Sequence, residues 1–185
     1  MPDLVLHVAG YRYEGWTSVQ LTRGMDQLAH VFSFTLTDRW IRDQLPVEVG
    51  QACRVSYDGQ DIFTGWIEQS RMGYTKDGQT ITVSGRSLTG DLVDCAAEHA
   101  GGQWLGMGLR RIAEDLCAPY GIDVHANASL GSVFNKFELQ DGETVHQALQ
   151  RAGQRRGVLL QTRSDGHLLF DRVGTSRVRT RLPLL

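Results

Sequence analysis

The hydrophobic pattern of this sequence changes its period near the middle of the chain. Up to about residue 87, apolar and polar residues alternate, which is typical of strands with one buried face. Phe32, Phe34 and Leu36, for example, fall on one side of such a strand. Beyond about residue 104 the apolar residues recur at the three- and four-residue steps of helices. The switch predicts an α+β protein, with a β unit followed by a unit that contains helices.

The first half predicts at least five short antiparallel strands before residue 87. Cys53, Val55 and Tyr57 repeat the alternation and are expected on one buried face. Many short strands separated by turns are typical of a sandwich or a barrel.

Two Asp-Gly steps, at residues 58–59 and 77–78, supply the positive φ angles of tight hairpin turns. A sheet this short leaves free edges unless it curls closed. We therefore expect residues 1–97 to form a small antiparallel β-barrel, with residues 98–103 as the linker that follows it.

The second half predicts a small α/β domain over residues 104–175. Leu105, Leu109, Ile112 and Leu116 lie on one stripe of a first helix, which Pro119 ends. The last residues, 176–185, are interpreted as a tail that begins a missing segment.

A second helix is expected from about Thr144, which can form a capping box with Gln147. Asp165-Gly166 predicts the turn of a β-hairpin after this helix. The residues that the second helix should bury are Val145, Ala148, Leu149 and Ala152.

Composition excludes several classes of protein. No apolar run approaches the roughly 20 residues of a membrane helix, so we expect a soluble protein made in the cytoplasm, without membrane insertion. Cys53, Cys95 and Cys117 have no CxxC spacing and are expected to be buried small residues. Charge is divided unevenly: residues 1–100 hold 8 basic and 13 acidic side chains, and residues 101–185 hold 11 and 8.

Motifs that bind phosphate or metal are missing from the sequence. There is no phosphate-binding loop and no HExxH pair, and the glycine-rich residues 101–108 are interpreted as a linker rather than an anion cradle. Glu143 and His146 share a helix face but lack companion ligands, so a surface hydrogen bond is the expected role. We expect no metal and no cofactor.

Catalytic residues are not expected either. Neither a nucleophile elbow nor an activated cysteine is present. Two carboxylate pairs, Asp91 with Asp94 and Glu114 with Asp115, fit acid and base roles in glycan cleavage only if they converge in space. Solvation or helix capping explains them more simply, so we expect the chain not to be an enzyme.

One strand has two apolar faces. Phe63 and Ile67 occupy the first face, and Ile62 and Trp66 make the second face apolar as well. The second face is therefore covered, either by the chain's own helix at residues 88–95 or by a partner subunit.

Other candidates for interface contacts are rich in Arg and Trp, the residue types that anchor many interfaces. Arg39, Trp40 and Arg42 lie in one loop, and Arg155 with Arg156 lies at the end of the second helix. The Arg-rich second half also raises nucleic-acid binding. The overall charge of −2 and the lack of a reading helix argue against specific recognition of DNA.

Several segments resemble the baseplate hub proteins of Mu-like contractile-tailed phages, a group similar to the tail protein D and VgrG hub family. The resemblance covers nearly all of the chain. The segments that carry it are Gly15-Trp16-Thr17-Ser18-Val19, Phe63-Thr64-Gly65-Trp66-Ile67, residues 81–97, Gly101-Gly102-Gln103-Trp104 and residues 115–121.

The resemblance implies a homotrimeric ring in the intact protein, at the distal end of the tail tube, that joins the tube to the central spike. It implies a virion location in the tail baseplate. Hubs of this family contain two barrel-like domains per subunit, whereas this sequence has strands for one, so we expect a part of a longer protein. The alternatives are a peptidoglycan-cleaving tail enzyme and a nucleic-acid-binding module.

Overall fold

The computed structural model describes residues 4–38, 47–75 and 78–174 of the chain. Its strands are β1 (Leu4–Val8), β2 (Tyr11–Tyr13), β3 (Ser18–Thr22), β4 (Val31–Asp38), β5 (Ala52–Tyr57), β6 (Gln60–Thr75), β7 (Gly78–Ser87), β8 (Gln103–Met107), β9 (Val124–Ala126), β10 (Phe134–Glu138), β11 (Leu159–Thr162) and β12 (Leu168–Asp171). Its helices are α1 (Gly90–Asp94), α2 (Leu109–Cys117) and α3 (Val145–Gln154), with a short 3-10 turn at Ala118–Tyr120.

The first seven strands form one antiparallel sheet in the order β2-β1-β5-β6-β7-β4-β3. Its inward side chains pack into a single core, which requires the sheet to curve around them. The Phe32 ring lies at the centre of this core, with its centroid 5.1 Å from those of both Phe34 and Phe63. The alternation in the sequence thus predicted the correct buried face, because each ring comes from an inward strand position.

The sheet is curved but not closed, so it is a barrel only in a loose sense. Strands β2 and β3 stand at its two ends and do not pair with each other. The α+β class itself is confirmed.

The β5–β6 hairpin confirms the turn predicted at residues 58–59, where Asp58 has a φ of 48° and Gly59 a φ of 77°. The burial predicted for Tyr57 is wrong. Tyr57 pairs with Leu4 on the same face as Val55, but it is the last residue of β5, next to the turn, and is 43% exposed.

The second unit packs α2 and α3 against strands β8 to β12 around its own core. Strands β9 and β12 run parallel, and β12 pairs antiparallel with β11. The capping box is confirmed: Thr144 accepts from the Gln147 backbone N–H, and the Gln147 side chain accepts from the Thr144 N–H. The hairpin turn is confirmed as well, with Gly166 at a φ of 86°.

The start of the first long helix differs from the prediction. Leu105 lies in strand β8 and is 62% exposed, and the helix begins four residues later at Leu109. Gly106 has a φ of 64°, a conformation that ends any helical path from Leu105. The predicted stop is confirmed, because the helix ends at Cys117, just before Pro119.

Candidate assembly surfaces

Helix α1 covers part of the second apolar face of β6. The indole N–H of Trp66 donates to Asp91 Oδ2 at 3.2 Å, and Trp66 is half-buried beneath the helix. Coverage by residues 88–95 was one of the two alternatives from the sequence. A further contact between Trp66 or its neighbour Ile62 and a partner subunit stays a prediction.

Arg86 ties this helix to the sheet with two ion pairs. Its Nε donates to Glu68 Oε1 at 2.6 Å, and its Nη2 donates to Asp94 Oδ2. The hydrogen bonds raise the pKa of Arg86, and the same bond from Arg86 lowers the pKa of Asp94. The Glu68 and Asp94 carboxylates therefore hold the Arg86 guanidinium between β6, β7 and α1.

Three buried hydroxyl groups lie where the two units meet. Ser87 Oγ is 2.9 Å from Thr89 Oγ1, which is 2.7 Å from Thr162 Oγ1. The Thr162 hydroxyl donates to the Leu28 carbonyl at 2.6 Å. Thr162 belongs to the second unit, so this chain of hydroxyls crosses from one unit to the other.

Leu28 also crosses between the units. It lies in the loop before β4, yet its side chain is 3% exposed within the core of the second unit. We call the whole contact zone the joint. It consists of Leu28, Trp66, Arg86, Ser87, Thr89, Asp91, Asp94 and Thr162.

The carboxylates considered for catalysis are engaged in structural contacts. Asp115 accepts from the Trp104 indole at 2.9 Å and pairs with Arg111 at 2.9 Å. Glu114 lies 3.9 Å from Arg110 on the same helix. Asp91 and Asp94 belong to the joint, so each of the four carboxylates has a partner within the chain.

Glu143 has a different partner from the one expected. It is buried and pairs with Arg151 at 2.6 Å rather than sharing a hydrogen bond with His146. The burial of His146 lowers its pKa. Glu143 therefore pairs with Arg151, and His146 packs in the unit without sharing that ion pair.

The remaining interface candidates occupy different settings. Arg155 is exposed at the end of α3, whereas the Arg156 guanidinium lies 3.9 Å from the Phe134 ring centroid and donates to the Val133 carbonyl. Arg39, Trp40 and Arg42 lie outside the described residues. Their role in an interface stays a prediction.

Groups of three or more side chains able to hold a metal ion are absent from the described part of the chain. Burial raises the pKa of Cys53 and Cys117 to about 12, so both thiols stay protonated at neutral pH. Cys95 is only half-buried. Among the described residues, no helix is long and apolar enough to cross a membrane.

Among the segments with one unpaired edge within the described ranges, two carry exposed apolar side chains along that edge. Strand β3 pairs with β4 alone, and the distal part of β6, residues 69–75, pairs with β7 alone. Lys and Pro, which protect many sheet edges, occur in neither segment. Strand β3 has no charged residue, and residues 69–75 have one, Arg71. Val19 on β3 is 45% exposed and Met72 on β6 is 38% exposed. These edges are open for pairing with another chain.

Sequence reasoning missed the residues of the joint apart from Trp66 and the two carboxylates. Leu28, Thr89 and Thr162 carry no local signal, since single Leu and Thr residues in loops and strands are common. The hydroxyl cluster forms only when the fold brings together Thr89 and Thr162, which are 73 positions apart in the sequence.

The fold and these surfaces define a two-unit module whose described polar clusters hold the chain's own elements together. Two family models match it in succession: the N-terminal domain of Mu phage baseplate assembly protein GpP-like proteins over residues 3–87, and the second domain of baseplate hub protein gp44-like proteins over residues 89–172. The chain belongs to the baseplate hub family of Mu-like phages. The matched ranges meet at residues 87–89, and the expected linker at residues 98–103 stays a prediction.

Individual relatives agree with this assignment. The baseplate hub protein gp44 of Escherichia phage Mu is 38% identical over 176 residues, which are 94% of this chain and 46% of that protein. The 43 kDa tail protein of prophage MuSo2 from Shewanella oneidensis is 33% identical with a TM-score of 0.89, over 96% of this chain and 57% of that one. The chain thus spans about half the length of these relatives.

More distant structures share the fold. A tail protein from Neisseria meningitidis is 29% identical with a TM-score of 0.79, over 91% of this chain and 50% of that one. A component of the type VI secretion system of E. coli is 11% identical with a TM-score of 0.58, over 90% of this chain and 48% of that one. At that identity the likeness concerns the fold alone.

Proposed function

We propose that this chain is a structural subunit of the baseplate hub of a contractile phage tail and acts by assembly rather than by catalysis. The observation that carries the proposal is the match of both units, in order, to hub-family domains over residues 3–172. The 38% identity to the Mu hub protein supports it. The chain covers 46% of that protein, so the partners below belong to the same proposal.

The hub subunit forms a homotrimeric ring in the intact protein. The open edges of β3 and of residues 69–75 support this, because they are different surfaces of one sheet. Pairing one edge with the other edge of a neighbouring copy is a head-to-tail contact, and such contacts produce closed rings when the rotation between copies allows it. The two edges together carry a single charged side chain, that of Arg71, so they present little electrostatic repulsion to a neighbouring strand.

The ring joins the tail tube to the central spike in the virion, after synthesis in the host cytoplasm. No specific nucleic acid is part of this proposal. In the Arg-rich second half, Arg151 and Arg156 are engaged in contacts within the second unit. The carboxylates considered for a peptidoglycan-cleaving role each have a partner within the chain, which favours structural roles for Asp91, Asp94, Glu114 and Asp115.

The ring is tested by sedimentation velocity of the intact protein over a series of protein concentrations. We expect association to three copies, and we expect Val19→Lys and Met72→Lys each to weaken it at least tenfold by placing a cation on one edge. Val49→Lys is the matched control, because Val49 is 64% exposed in a turn outside both edges. An intact protein that stays monomeric at every concentration, or a control that weakens association equally, would contradict the role of these edges.

The hub role is tested separately by labelling purified virions with antibody against this chain. Binding at the tail tip supports the role whatever the oligomeric state of the isolated chain. Binding to the capsid, or the absence of the chain from virions, contradicts it. A zymogram in which Glu114→Gln or Asp94→Asn abolishes lysis would favour the enzyme instead.

A further inference from the structure

The loop between β3 and β4, residues 23–30, crosses from the first unit to the second, and we call it the strap. Its first residue is tied to the first unit, because Arg23 Nη1 donates to the Ile62 carbonyl on β6 at 3.1 Å. Its far end is tied to β7, because the Ser87 N–H donates to the His30 carbonyl at 3.0 Å. Between these points the strap sends Leu28 into the second core.

The backbone of the strap is held by a closed chain of hydroxyl groups. A hydroxyl has a single proton to donate. The His30 N–H donates to Ser87 Oγ at 3.0 Å, so one consistent order continues from Ser87 to Thr89, from Thr89 to Thr162, and from Thr162 to the Leu28 carbonyl. The chain begins and ends on the strap and passes through both units. Such chains strengthen each member by polarisation in a buried setting.

The rest of the strap is loosely packed. Met25 is 64% exposed, and hollows of about 330 Å³ and about 190 Å³ flank the strap on its two sides. The larger hollow lies against α3, where it is lined by His146, Gln150 and Gln154. The strap is therefore fastened at a few points with space beside it, rather than embedded along its length.

We propose that the strap is a latch between the two units. When Leu28 and its carbonyl are seated, the units move as one rigid body. When they are released, each unit keeps its own core and the two reorient relative to each other. A bistable contact of this kind is a common basis for motion between domains. The inference concerns motion within the chain and does not depend on the hub role.

The latch is tested by ¹⁵N relaxation of the 20.6 kDa chain, which reports a rotational correlation time for each unit. The unaltered protein should have one common time. Leu28→Ala should shorten both times toward those of bodies of half the mass, with the amide spectra of both cores preserved. A common, unchanged time in Leu28→Ala would overturn the proposal, since Leu28 would then be an ordinary core residue.

The matched control is Leu116→Ala, which truncates an equally buried leucine of the same core on helix α2. It should lower stability without shortening either correlation time, and a shortening as large as that of Leu28→Ala would overturn the latch. If Leu28→Ala does not fold, the double variant Thr89→Val with Thr162→Val removes both hydroxyl donors to the Leu28 carbonyl and leaves the Leu28 side chain in place. Shortened times in that variant support the proposal, and unchanged times overturn it.

Discussion

Arg151 on α3 forms an ion pair with the buried Glu143, which precedes the helix. Arg151 Nη2 lies 2.6 Å from Glu143 Oε1, and Arg151 Nε lies 3.3 Å from Oε2. The same guanidinium donates to the Glu138 carbonyl at 2.9 Å and lies 4.6 Å from the Phe137 ring centroid. The Arg151 side chain thus connects α3 with Glu143 in the preceding turn and with strand β10.

We expect Arg151→Ala to lower the free energy of unfolding by about 3 kcal/mol, because it leaves the Glu143 carboxylate buried without its cation. The measurement is urea unfolding followed by circular dichroism. Arg155→Ala, four residues further on and exposed, is the control and should change stability by no more than about 0.5 kcal/mol. Equal losses in the two variants would show that the ion pair has no special weight.

Much of the fold could be predicted because the signals are local. The Asp58-Gly59 turn and the Thr144 capping box each depend on residues fewer than five positions apart, and both are confirmed. The burial predicted for Tyr57 is wrong because this residue ends β5 beside the turn, and alternation alone does not indicate where the core stops covering a strand. The helical position predicted for Leu105 is wrong because its spacing from Leu109 fits a helix by coincidence. Gly106, which follows it, has a left-handed φ that a helix does not contain.

The joint could not be predicted from the sequence, since its partners are distant along the chain. Thr89 and Thr162 are 73 residues apart, and Thr162 contacts a carbonyl 134 residues away. The partner of Glu143 was missed for a related reason. The acid precedes the helix, so an arginine eight positions later reaches it, while a residue three positions later on the helix does not.

The hydroxyl chain predicts non-additive losses. In Thr162→Val the Leu28 carbonyl loses its donor, but the Thr89 hydroxyl lies 2.9 Å from the same carbonyl and can turn to it. The single substitution should therefore cost about 1 kcal/mol, while Thr89→Val with Thr162→Val leaves the carbonyl buried and unpaired and should cost about 3 kcal/mol. A double-mutant cycle from urea unfolding measures the coupling.

The control for this cycle is the pair Thr35→Val and Thr82→Val. Their hydroxyl oxygens are also adjacent, at 3.3 Å, but they lie on the half-exposed outer face of the sheet. Water can replace either partner there, so we expect small, additive effects. Additive losses at Thr89 and Thr162 as well would rule out the single chain of donors.

Stability should fall as the solution is made mildly acidic. Burial lowers the pKa of His30, with help from the nearby Arg23 cation, while a hydrogen bond with the Gly24 backbone opposes the shift. The unfolded chain therefore binds this proton more readily than the folded one. The stabilisation is complete above the ordinary histidine pKa of 6.5 and is lost as the pH falls below it.

This dependence is measured from the melting temperature between pH 8 and pH 5. His30→Gln should flatten the profile in that range, because it removes one titrating group that folding keeps neutral. His146→Gln should flatten it as well, since burial lowers the pKa of His146 too. His99→Gln serves as the comparison. A profile that is equally steep with and without the His30 substitution would contradict the assignment.

Gly73 on β6 and Gly85 on β7 should show opposite changes in stability when each is substituted by alanine. At Gly85 a Cβ would overlap the Trp66 carbonyl oxygen across the strands and lie 2.8 Å from the Phe32 ring, so neither backbone nor core can yield. We expect Gly85→Ala to cost about 4 kcal/mol or more, or to prevent folding. At Gly73 the nearest atom, the Thr80 carbonyl oxygen, is 3.9 Å away, so Gly73→Ala should be neutral or stabilise by about 0.5 kcal/mol. Thermal unfolding of both variants decides, and a Gly85→Ala protein as stable as Gly73→Ala would show that the strands are not this close.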